Sequence, residues 1–323
     1  MAALTPLADP RTAERVAAKL HSTGTHWPSQ LFRAVLAFCL LFALMVLGVL
    51  LIDVVSGGWP VLNGRLGSFL SEGVRTRSDS AGVFQGLRGT FWIAVCVAVI
   101  AFPMGVGAAI YLEEYATPSK LTRAIDLSIR NLAGVPSVVY GILGFTIFVK
   151  LADGFFPGSM SDHNGNTTLA GGVTLAVLAL PIVIITSAEA IRAVPRALRE
   201  AGYGLGATKW EVVRHHVLPY AAPGILTGTL LSMARAIGEA APLILVGAQR
   251  GRLGLRTGFF DLSQLGEKFT AMPIVITEFA TRPGTEWQHL TAAAIVVLLV
   301  FVLLANAAAI LLRNRFERRR GGE

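Results

Sequence analysis

Five stretches of the chain run for about twenty residues each without a charge: Ala34–Ile52, Thr90–Leu112, Asn131–Val149, Thr167–Ala188 and Leu290–Leu312. A helix that crosses a bilayer needs about 20 mostly apolar residues, so each run is expected to be a membrane span. A sixth, Tyr220–Ala248, is apolar apart from Arg235 and Glu239. With their flanks the expected spans are 34–55, 90–112, 131–150, 167–190, 220–248 and 290–312. They form an all-α membrane domain over 33–313, between a polar tail, 1–32, and a basic tail, 314–323. The first tail holds Arg11, Glu14, Arg15 and Lys19 and lacks a signal-peptide pattern, so the first span is expected to stay as an anchor.

Small residues mark where these helices pack. Gly134, Ser137, Gly141 and Gly144 form one stripe on the third span, and Gly224, Gly228, Ser232, Ala236 and Ala240 recur every four residues on the fifth. Such stripes let backbones approach closely in lipid, where burial alone does not drive association. Pro103, Pro136, Pro181 and Pro242 fall within spans and are expected to bend or break them.

Composition agrees with lipid as part of the solvent. Of 323 residues 53% are hydrophobic and 15% charged, against about a quarter charged in a soluble domain. Cys39 and Cys96 both lie in apolar runs, too few for a disulfide framework or a structural zinc site. The net charge of +8 is spread over short segments between the runs rather than in one stripe with aromatics, so it reads as topology and not as nucleic-acid binding. With the N-terminus inside, inner segments hold 17 Lys and Arg and outer segments 10, with Arg235 in the membrane. That bias places both termini and the 189–219 segment in the cytoplasm. No Gly-Lys pair occurs, so there is no P-loop, and no hydrolase or zinc-protease motif is present. His215 and His216 are adjacent, which on a helix points them apart.

The 189–219 segment has its own design. A charged helix with Arg192, Arg196, Arg199 and Glu200 runs into Gly204 and Gly206, which permit a sharp turn. A second short helix starts near Thr208 and meets Pro219. The small tip, flanked by Lys209 and Trp210, suits insertion into a groove on a partner. The segment resembles the EAA signature of ABC importer permeases: Glu200, Ala201, Gly206, Leu218 and Pro219 match, Gly202 replaces the second Ala, and His216 stands where an apolar residue is usual. The resemblance implies a type I importer architecture in which this loop, including Gly204, is the coupling helix that docks on a separate ATPase. It also explains the missing P-loop.

Arg235 and Glu239, four residues apart, share a helix face that Thr227 and Leu231 continue. A charge at the bilayer centre costs roughly 2.5–3.5 kcal/mol, so such residues face a bundle interior or a water-filled path. One reading is an ion pair that clamps the helix. The other is an anion site, because arginine offers a planar, permanently charged fork of donors that fits phosphate. Glu239 then holds the guanidinium or accepts a proton from phosphate.

The surrounding sequence resembles the A-type permease subunit of the phosphate-specific ABC transporter. The matching stretches are Ala133–Gly141, Arg192–Gly206, Ala234–Leu243 and the tail from Met272 to Arg313, within roughly residues 85–315. By that resemblance Arg235 lies on the phosphate path with Glu239 beside it, and Arg192 is a weaker candidate at the inner mouth. The resemblance implies a bacterial inner-membrane subunit that is not itself an enzyme and binds no cofactor. Its partners are an ATPase dimer carrying ATP–Mg, a second, C-type permease and an extracytoplasmic phosphate-binding protein docked on the outer loops 56–86 and 249–287. An ABC permease for sulfate or molybdate is the nearest alternative. An ion-coupled carrier predicts inverted repeats, which the halves do not show, and leaves the loop unexplained. A membrane-embedded enzyme needs a paired nucleophile and base, and none is visible.

Overall fold

A computed structural model describes residues 27–149, 166–251 and 258–318. Most of the expected N-terminal tail, with Arg11, Arg15 and Lys19, lies outside the described residues, as do Lys150, Arg252, Arg256, Arg319 and Arg320.

The helices in chain order are α1 Trp27–Ser71, α2 Phe84–Ile110, α3 Lys120–Ala133, α4 Ser137–Leu143, α5 Thr168–Arg192 and α6 Arg196–Gly204. They continue with α7 Lys209–Val212, α8 Leu218–Ile237, α9 Ala241–Leu245, α10 Met272–Ala280 and α11 Thr285–Arg318. Three π-turns extend them: Tyr111–Tyr115 after α2, Gly144–Val149 after α4, and Val213–Val217 between α7 and α8. Among the described residues five helices are long and apolar enough to cross a membrane, six when the bent pair α3–α4 counts as one span.

The chain divides into two compact units, Met1–Asp53 and Val54–Glu323. In the first, the described residues form a helix whose apolar side chains, such as Phe38, Leu41 and Leu44, stand exposed. In the second, α5 is the central helix, with its most extensive contact along α2 and the next along α8. Ile93 and Val97 of α2 meet Leu175, Ala176 and Ala179 of α5 in the main core. A second core joins Val61 and Phe69 to Met272, Phe279, Leu290 and Ala293. A third lies under the 189–219 segment and contains Ala109, Ile191, Val194, Val212, Val217 and Ile225.

The small-residue stripe on α8 acts where helices touch, whereas the one expected on the third span is split by a 104° bend after Gly134. A Cβ on Gly224 would fall 2.8 Å from the Ala190 Cβ, and one on Gly228 would collide with the Thr186 side chain. Ser232 and Ala236 are buried on the same face of α8.

The helices depart from the sequence expectation in four places. Residues 56–71, assigned from hydropathy to an outer loop, are helical: the first helix carries on through Pro60 to a kink at Arg65, whose backbone is non-helical, and a second helical piece follows to Ser71. The run over 131–150 is two helices meeting at 104°. Gly134 ends α3, and Pro136, which lacks an N–H, turns the backbone extended before α4. The run over 220–248 breaks after Ile237: Gly238 ends α8, and Pro242 cannot continue it because its ring would meet the carbonyl four residues back. Part of the expected 249–287 loop is α10, an apolar helix packed against α2 through a Met272 N–H to Thr90 Oγ1 bond of 2.8 Å.

Replacing Gly228 by Val forces α8 off α5 and is expected to cost about 1–3 kcal/mol. Thermal unfolding of the detergent-purified chain reads this as a lowered Tm, whereas Gly64→Ala, with open space around it, should change little.

Candidate functional site

The two helix breaks meet. A cavity of about 210 Å³ is lined by Leu132–Ser137 and Tyr140 from the α3–α4 bend, Leu178 and Ile182 from α5, and Arg235 and Glu239 from the end of α8. The two stretches that carry the sequence resemblance around the charged pair thus line one space. Two contacts hold them there. The Tyr140 hydroxyl donates to the Leu132 carbonyl at 2.8 Å, across the bend. Gly141 lies against α9 so closely that a Cβ would come 2.7 Å from the Pro242 Cα.

Arg235 sits in the last turn of α8, where a cation complements the helix dipole. Its Nε is 3.9 Å from Glu239 Oε1, a long ion pair, with side-chain exposures of 62% and 22%. No hydrogen bond to the guanidinium is present among the described residues, so its donor fork is open toward the cavity and its surroundings. The arrangement presents a permanently charged planar donor group, a carboxylate one helical turn on, and irregular backbone on two sides. Irregular backbone at membrane depth is tolerated where it lines a cavity.

Arg192 is elsewhere. It ends α5, about 15 Å along the helix from Ile182 at 1.5 Å per residue. It makes a two-pronged ion pair with Glu113, its Nε at 3.2 Å. A separate cavity of about 520 Å³ there also takes in Lys120, Arg123 and Asp126.

The 189–219 segment is a tight helical hairpin. Gly206 turns it with φ +82°, a left-handed conformation that suits glycine, whereas Gly204 keeps negative φ inside the last turn of α6. Thr208 caps α7 in a reciprocal capping box with Glu211. Gly202 is buried, and a Cβ there would lie 2.8 Å from Val212 Cγ2, so the legs close more tightly than an alanine would allow. Glu200, Ala201 and Gly204 are exposed at the tip with Tyr203, Trp210 and Leu205, the last 88% exposed. Leu218 and Pro219 open α8 behind them. Along α8 the hairpin lies about 25 Å from Arg235.

The model of the family described as "binding-protein-dependent transport system inner membrane component" matches residues 101–321, which contain both the cavity and the hairpin. The chain belongs to this family. Among curated relatives of this transport-system component, the phosphate transport system permease protein PstA 1 of Mycobacterium tuberculosis is 33% identical over 86% of each chain. PstA of Yersinia pestis is 34% identical over 71% of each. PstC of Haemophilus influenzae is 32% identical over 66% of this chain and 72% of its own. Among solved structures, an importer for the acidic polysaccharide alginate has a TM-score of 0.55 at 15% identity, covering 87% of this chain and 98% of that one. The inward-facing MetNI methionine transporter has 0.52 at 19%, covering 73% and 94%. The fold is therefore that of a type I ABC importer permease, a multi-pass membrane protein.

Leu178 and Ile182 of the cavity escaped the sequence reading because nothing separates them from other core positions of an apolar helix. Glu113 and Glu114, which meet the hairpin's arginines, had one available signal: an acidic pair closing a 23-residue uncharged run. Tyr140→Phe removes the bond across the bend and is expected to cost about 1 kcal/mol. The check is the Tm of the purified chain, with a loss of a few degrees expected.

Proposed function

We propose that this chain is the membrane-spanning subunit of an ATP-driven importer of inorganic phosphate, with Arg235 as the phosphate contact on the path. The observation that carries this reading is the cavity in which the open guanidinium of Arg235 stands between two broken helices beside Glu239. A tetrahedral oxyanion accepts two hydrogen bonds from such a fork, and the charge persists at every working pH. The 3.9 Å separation from Glu239 suits an arginine steadied but not neutralised, and the openness of the site suits the weak binding that passage requires. The identity to relatives named as phosphate permeases over most of their length supports phosphate over sulfate or molybdate.

In this reading the hairpin, with Glu200, Ala201, Gly202, Gly204, Gly206, Leu218 and Pro219, docks on an ATPase dimer that binds ATP–Mg, and this chain catalyses nothing. Its exposed tip and the unfilled space around Gly204 support that assignment. The termini and hairpin lie in the cytoplasm of a bacterial inner membrane. The likeness to both PstA and PstC proteins supports a heteromeric permease pair. An extracytoplasmic phosphate-binding protein delivers the ion to the opposite face. The path role belongs to Arg235 rather than Arg192, whose fork is already engaged by Glu113.

Arg235→Gln is expected to lower phosphate uptake by the reconstituted complex at least about tenfold, a loss of one strong charge-assisted contact, while assembly and ATP hydrolysis persist. Lost assembly would make the pair a structural clamp, and unchanged uptake would remove Arg235 from the path. Gly206→Val, which strains the turn, is expected to lower co-purification of the ATPase about tenfold or more while the permease pair stays together. Retained ATPase would refute the docking role.

A further inference from the structure

Three consecutive residues of the π-turn that extends α2 each hold one cation from the three successive pieces of the hairpin segment. Glu113 pairs with Arg192, the last residue of α5. Glu114 Oε1 accepts from Arg199 of α6, with Nε at 3.0 Å and NH2 at 2.8 Å. The Tyr115 ring lies under Lys209 Nζ, the first residue of α7, at 5.1 Å from the centroid. These three acceptors are the closing residues of the π-turn Tyr111–Tyr115.

The middle joint is built as a fixed one. Side-chain exposures are 6% for Glu114 and 19% for Arg199. Arg199 also donates to the Val194 carbonyl at 2.7 Å and the Ile191 carbonyl at 2.9 Å, so it closes the end of α5 while holding α2. A shielded ion pair keeps its geometry because either charge alone would be stranded away from water. The Arg192–Glu113 pair is more open, with exposures of 56% and 18%. Below both, Ala109 of α2 packs in one apolar cluster with Ile191, Val194, Val212 and Val217. At its other end α2 is tied again: Thr90 accepts from the Met272 N–H, and the Trp92 indole donates to the Phe259 carbonyl at 3.1 Å.

We propose that Glu113, Glu114 and Tyr115 are positioning residues that pass movement of the hairpin to α2, with Glu114–Arg199 as the joint that makes hairpin and helix move together. This rests on the reading of the hairpin as the ATPase-docking element. Neither glutamate touches the transported ion. Their loss therefore separates hydrolysis from transport rather than lowering both.

The test uses the complete complex in proteoliposomes, with radiolabelled phosphate uptake and ATP hydrolysis measured on the same preparation. Glu114→Gln is expected to leave ATPase co-purification intact and hydrolysis within about twofold, while uptake drops about tenfold. The ATP spent per phosphate imported then rises about tenfold. Glu113→Arg and Arg192→Glu should each raise that ratio, and the double variant should return it to within about threefold of the wild type. That recovery would not follow if Arg192 served phosphate directly. An unchanged ratio in Glu114→Gln overturns the proposal, as does a double variant no better than its parents. If Glu114→Gln does not assemble, the charge exchange decides: recovery supports the joint, and its absence assigns these pairs to folding alone. Failure of the docking reading looks different, since the ATPase would then stay bound to Gly206→Val.

Discussion

In hydrocarbon no water is present to satisfy a backbone N–H or carbonyl, so every such group in a spanning segment needs a partner within the protein. That requirement makes the chain helical and makes any interruption conspicuous. Two interruptions, at Gly134–Pro136 and Gly238–Ala240, face each other across a space of about 210 Å³. Each has its own support: Tyr140 reaches back to the Leu132 carbonyl, and Gly141 admits the backbone of α9 at close range. Everything that distinguishes the candidate site follows from letting backbone leave the helix at those places.

Charge is handled in two ways. Near the hairpin each glutamate of the π-turn after α2 is matched to an arginine, and the more deeply buried arginine, Arg199, also donates to the Ile191 and Val194 carbonyls at the end of α5. In the cavity the pair is long and the arginine mostly exposed. Short, shielded pairs hold helices in register, whereas a long and open pair leaves donors for something that arrives and departs. The same residue types therefore form a closed pair at one end of the bundle and an open one beside the cavity.

Much of this was legible in the chain. Arg235 and Glu239 declared themselves because they are the charges of an otherwise apolar run. The hairpin showed through Gly204 and Gly206, of which Gly206 makes the left-handed turn, and through the second helix expected from about Thr208. The helix breaks were half legible: Pro136 and Pro242 signalled a bend, but hydropathy continues across both, and lipid compatibility says nothing about direction. The partnerships of Glu113 and Glu114 were hidden. Their arginines lie 79 and 85 residues further on, and only the packing of α2 along α5 brings them together.

The π-turns at Tyr111–Tyr115 and Val213–Val217 bound this region on both sides. A π-turn is an α-turn holding one residue too many. Passing that residue along would rotate the backbone beyond it by about 100° and shift it by about 1.5 Å. Glu113, Glu114 and Tyr115 close the first of these turns, so the winding of the chain beyond α2 sets which cation each of them meets.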